Sequence, residues 1–134
     1  MSTLTDDVKN TLSSLISGAG DVVSTAQNVA RENIVKALKN VGSVAEAGTS
    51  AVSDVIAGGV EALSTTGGSI TDGVTGLVRG VVDGAKEAGV DTTQAAGEAA
   101  STVVRSVSNV GGDVGGAAVS AVSGAISAAG DIGA

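Results

Sequence analysis

The chain has 134 residues, 14 acidic and 7 basic, for a net charge of −7, and it contains no Cys, His, Pro, Phe, Tyr or Trp. One domain fits that length. The composition excludes a disulfide scaffold, thiol or imidazole metal sites and Ser–His or Cys–His catalytic pairs, and its acidity argues against a nucleic-acid partner.

The N-terminal segment opens the first predicted helix. Thr3 or Thr5 can cap it, with Asp6 and Asp7 in the first turn where the helix dipole favours negative charge. No basic stretch precedes an apolar run, so no secretory signal is visible. No run of about 18 strongly apolar residues suggests a spanning helix. The expected location is therefore cytoplasmic, or peripheral at a membrane or lipid surface.

From Val8 onward the chain repeats every 11 residues. The column Val8, Ala19, Ala30, Val41, Val52, Leu63, Val74, Ala85, Ala96, Val107, Ala118 and Ala129 never carries a charge. Eleven residues make about three helical turns, so such a column is a nearly straight stripe on an α-helix. Five adjacent columns, headed by Thr11, Leu4, Val8, Leu12 and Thr5, form one uncharged arc. All 21 charged residues fall on the other columns. Random placement would give that on the order of a few times in a million, before allowing for the choice of period and arc. The pattern predicts an all-α protein made of one or two long amphipathic helices. Its apolar face carries Leu4, Val8, Leu12, Leu15, Val23, Ile34, Leu38, Val41, Val52, Ile56, Leu63, Ile70, Val74, Val78, Val81 and Val107. Glu32 and Lys36 add an i,i+4 pair in the first half.

The midpoint carries the best break, Ser64 to Ser69, with Gly67 and Gly68 inside it. A hairpin there would divide the single repeat domain, residues 1–134, into halves 1–64 and 69–134. The unbroken register across Gly67 argues for one continuous helix instead, and the expectation is two long helices or one kinked helix.

The second half adds a small-residue flank beside the arc. The column Gly18, Ala51, Ala62, Gly73, Gly84, Ala95, Ser106, Ala117 and Ala128 is one part of it. Gly76, Gly80 and Gly84 form a four-residue ladder, and Gly111 with Gly115 another. Small residues at that spacing let helix backbones approach closely, so Gly73, Gly76, Gly80, Gly84, Gly111 and Gly115 are candidate close-packing positions. Each interior Gly also costs about 1 kcal/mol of helix propensity against Ala, so stability must come from packing or from a surface. Asp83, Glu87 and Asp91 share a helix face but read as solvated carboxylates rather than a cation site. No P-loop or dinucleotide fingerprint occurs. No catalytic residue, cofactor or metal is expected.

The amphipathic 11-residue repeat resembles those of synucleins, perilipins and exchangeable apolipoproteins, and of group 3 late-embryogenesis-abundant proteins. The Ala/Val/Thr-rich run from Gly89 to Ala100 is similar to those late-embryogenesis proteins, a likeness shared by phasin-like granule coats. The Lys-Thr-Lys-Glu-Gly core of synuclein repeats has no counterpart. The resemblance implies a surface-active helical protein.

Three functions follow as expectations. The first is a non-enzymatic structural protein whose helices self-assemble into a filament, tube or sheet, with itself as partner and with or without lipid. The second is a peripheral coat on a lipid surface or granule. The third is a protectant that becomes helical on drying or binding. In each, Val52→Asp or Leu63→Asp should abolish function, while Asp54→Ala should be nearly silent.

Overall fold

The computed structural model describes residues 8–14, 22–41, 45–66, 70–89, 92–111 and 114–133. Among them the chain forms six helices and no strand. Helix α1 covers 8–14. It is followed by α2 (Val22–Val41), α3 (Ala45–Thr66), α4 (Ile70–Ala88), α5 (Thr92–Asn109) and α6 (Val114–Gly133). The all-α expectation holds. One or two long helices do not: the repeat is cut into six helices, of which α2 to α6 hold about two 11-residue units each.

Glycine explains two of the cuts, after α4 and after α5. Gly89 has φ +80° and Gly111 has φ +75°, the left-handed region that ends helices without a Cβ penalty. The Gly89 N–H donates to the Lys86 carbonyl at 3.1 Å, and the Gly111 N–H to that of Ser108 at 3.2 Å, closing the last turns of α4 and α5. Both glycines occupy the Leu12 column, 22 residues apart, and Gly67 precedes Gly89 by the same step, just after α3 ends at Thr66. The same column carries Ile34, Ile56 and Val78 in mid-helix, all fully buried, and the helix-ending glycines Gly89 and Gly111 further along. In α4, Asp72 in the first turn and Lys86 in the last also match the helix dipole.

The helices stack in two layers. Helices α2, α4 and α6 form one layer and α3 with α5 the other. Among the described residues each of these helices touches only those one or two places away in sequence; α2 meets neither α5 nor α6, and α3 does not meet α6. Only α4 contacts all of the other four, and it is buried nearly all round, from Gly73 to Ala85.

The core is thin. Its largest fully buried side chains are Leu12, Ile34, Ile56, Leu63 and Leu77, and Ala and Val supply most of the remainder. Close backbone approach compensates. A Cβ added at Gly80 would meet the Gln27 carbonyl and stand 2.7 Å from the Ala30 Cβ. At Gly76 it would strike the Val23 carbonyl, and at Gly84 it would lie 2.8 Å from the Ile34 Cβ. The glycine ladder is therefore the seam between α4 and α2. Gly73 receives Leu63 of α3 in the same way.

Polar ties cross the α2–α4 seam. The Gln27 Nε2 donates to Asp83 Oδ2 at 2.8 Å, and Arg31 pairs with Glu87 at 3.2 Å. Gln27 is a polar intruder on the uncharged arc; here it serves Asp83. Asn33, the other amide on that arc, donates to the Val29 carbonyl one turn back.

Candidate assembly surface

Most of the sequence-defined apolar face lies inside the stack. Val8, Leu12, Ile34, Val52, Ile56, Leu63, Val74, Val78, Val81 and Val107 are buried, while Val23 and Ile70 are half-buried. Leu4 and Leu15 lie outside the described residues, as do the side chains of Leu38 and Val41. In this fold that face meets other helices of the same chain. Of the candidate small residues, Gly73, Gly76, Gly80 and Gly84 are buried at helix contacts. Gly111 instead sits in the turn after α5, with nothing within 4 Å of an added Cβ, and Gly115 is exposed on α6.

The buried face is rotated from the arc read in the sequence. Every member of the Gly18 column whose side chain is described, from Val29 to Ala128, is buried. Toward the C-terminal end the opposite edge of the arc emerges into solvent. The rotation is most complete in α6, which turns Ala117, Ala121, Gly124 and Ala128 inward.

What α6 turns outward is apolar. Val119 is 67% exposed, Val122 52% and Ile126 67%. Val104 on α5, at 37%, is the other large exposed apolar side chain among the described residues. The three α6 residues stand at i, i+3 and i+7, one ridge along one helix face. The surrounding sequence has departed from the repeat in the same direction. The column that carries Lys9, Arg31 and Lys86 carries Val119 here, and the column of Asp72, Asp83 and Arg105 carries Gly116. No charged residue occurs from Val114 to Gly130.

The ridge repeats a face used inside the molecule. α2 meets α4 through Gln27, Ala30, Arg31 and Ile34, and α4 turns its glycine ladder back toward them. One layer step later α4 meets α6 through Thr75 and Val78, which lie 44 positions after Arg31 and Ile34. A Cβ added at Gly124, 44 positions after Gly80, would stand 2.9 Å from the Thr75 carbonyl oxygen and 3.3 Å from the Val78 Cβ. The Thr75 hydroxyl donates to Thr71 within α4 and reaches the Ser120 carbonyl at 3.5 Å. Each helix of this layer thus offers one face forward and receives its neighbour's small face. On α6 the forward face is the ridge, and none of the described helices covers it.

Other features are poorer in chemistry. Val82, Thr92, Thr93, Ala96, Ala125 and Ile126 line an open crevice of about 250 Å³ without a charged group. Among the described residues no cluster of Asp and Glu is arranged to hold a metal ion. Asp83 and Glu87 are engaged with α2 as described, and Asp91 lies outside the described residues. Among the described residues no helix is long and apolar enough to cross a membrane.

Sequence reasoning missed the ridge because it followed phase rather than charge density. The periodic arc continues through α6; the signal was the disappearance of charge from the polar columns. Comparison with known protein families, curated proteins and solved structures finds no significant match to this chain.

Proposed function

We propose that this is a non-enzymatic structural protein that works by associating with copies of itself. The observation that carries the reading is the ridge Val119, Val122 and Ile126, exposed on a helix with no charge between Val114 and Gly130. Contiguous apolar surface of this kind marks an interaction site in a water-facing protein. The folded unit is the two-layer stack, so a filament, tube or sheet would be built from stacks rather than from one extended helix. The chemistry of the chain agrees, since it has neither His nor Cys to act as general base, nucleophile or soft metal ligand.

The second reading is a peripheral coat on a lipid surface, favoured by the same uncharged ridge. An anionic surface would repel a chain of net charge −7. A neutral lipid or storage-granule surface would not.

Sedimentation velocity over a wide concentration range, with negative-stain microscopy in the presence and absence of neutral and anionic vesicles, separates the two readings. Association without lipid is expected. A monomer at every concentration that binds vesicles would replace assembly with the coat.

A further inference from the structure

The layer formed by α2, α4 and α6 has two unlike ends. Outward on α2, away from α4, stand the exposed Glu32 and Lys36. Outward on α6 stands the apolar ridge. The α2 face is charged and the α6 face is not.

We propose that the α6 ridge docks on the α6 ridge of a second copy about a two-fold axis. This rests on the assembly reading above and names its contact. Three observations select that occupant. The first is shape. Val119, Val122 and Ile126 are spaced three and then four residues apart, the spacing of knobs-into-holes packing between two helices. The neighbouring Ser123 and Gly115 leave room for close approach. The second is charge. Two acidic molecules approach most readily on an uncharged face, and α6 supplies one.

The third is the contrast between the two ends. A head-to-tail contact would press Glu32 and Lys36 of one copy onto the apolar ridge of the next. That would strip water from two charged side chains against an apolar surface. Ridge on ridge desolvates none. A contact in which one patch meets its own copy is isologous and closes at two molecules. The layer would then run from α2 through α4 and α6 into the second copy's α6, α4 and α2, with charged faces at both ends. Any longer polymer must use another surface. A lipid occupant fits less well, because the ridge has no aromatic side chain and no Lys or Arg flank to anchor it at an interface.

The chain has no cysteine, which gives a clean background for cross-linking. Val119→Cys, Val122→Cys and Ile126→Cys, tested singly under mild oxidation, are expected to yield disulfide-linked dimers from at least one variant. Asn28→Cys, exposed on α2, should yield none. Mixing Asn28→Cys with Val122→Cys should give no cross-linked pair; efficient linkage between them would overturn the two-fold arrangement in favour of head-to-tail stacking. In parallel, Val122→Asp should weaken association at least tenfold by sedimentation equilibrium with helix content unchanged by circular dichroism. If wild type is monomeric throughout, the assembly reading fails and takes this contact with it. If wild type associates and Val122→Asp associates equally, only the α6 assignment falls. Recruitment of wild type as a monomer to phosphatidylcholine vesicles, lost in Val122→Asp, would give the ridge to lipid.

Discussion

Gly84 lies so close to Ile34 that a Cβ placed on it would stand 2.8 Å from the Ile34 Cβ and 3.0 Å from the Arg31 carbonyl oxygen. Helices α2 and α4 therefore meet almost backbone to backbone. The chain has no aromatic side chain to thicken its core, and dispersion contacts at this seam replace part of what bulk would supply.

Gly80→Ala should separate that seam. The substitution gains about 1 kcal/mol of helix propensity, but overpacking a tight contact costs about 1–3 kcal/mol, and here the obstacles are backbone and a Cβ. The expected net effect is destabilisation by about 1 kcal/mol. Gly97→Ala is the control, exposed on α5 with nothing within 4 Å, and should stabilise by up to about 1 kcal/mol. Urea denaturation followed by circular dichroism would rank the two; equal signs would contradict the seam.

Gly89→Ala and Gly111→Ala are expected to destabilise by about 1–2 kcal/mol, for a reason unrelated to packing. An added Cβ at either has nothing within 4 Å, yet both residues have positive φ. Asn tolerates that conformation better, so Gly89→Asn should recover part of the loss. Thermal melts of the two Gly89 variants decide this, and indistinguishable melts would remove the conformational argument.

Leu63→Asp and Val52→Asp should unfold the stack, because each would bury a carboxylate among apolar neighbours. Leu63 is fully buried and Val52 is 3% exposed. Losses beyond about 4 kcal/mol belong to this mechanism. Asp54→Ala, half-buried on α3, should stay within about 0.5 kcal/mol of wild type, as surface changes do. Helix content measured at one temperature would separate the three.

Asp83→Ala should cost more than Glu87→Ala. The Gln27–Asp83 hydrogen bond is part-buried at 2.8 Å, and losing it leaves the Gln27 amide without that acceptor, about 0.5–1.5 kcal/mol. The Arg31–Glu87 pair is open to solvent on both sides and should contribute under about 1 kcal/mol, less at high salt. Denaturation of both variants at low and high salt tests the order.

Much of the interior is legible in the residue pattern alone. The absence of charge from the Val8 column translates directly into the burial of Val52, Leu63, Val74 and Val107. The Gly76, Gly80 and Gly84 ladder signals a close helix contact through its spacing. What period counting hides is the distinction between a glycine that stays helical and one that stops a helix. Gly89 and Gly111 keep the phase of the repeat, so an 11-residue reading runs through them. Gly67, Gly89 and Gly111 recur at two successive steps of 22 residues, whereas Gly80 is preceded by Gly58 but followed at that step by Thr102. The direction each helix faces is hidden too. It depends on which neighbour each helix meets, and α6, with no described helix beyond it, presents Val122 to solvent where α4 presents Val78 to a partner.

The restriction of contacts to helices one or two places apart has a kinetic consequence. No element must wait for a distant part of the chain, so the search for native pairings is short and folding should be fast for a protein of this length. Opening should likewise begin at the ends, with α4, held by α2, α3, α5 and α6, the last to yield. Amide exchange would then form a gradient from slow in the middle of the chain to fast at its extremities. The protein should lose its structure by shortening, helix by helix, rather than as a single block.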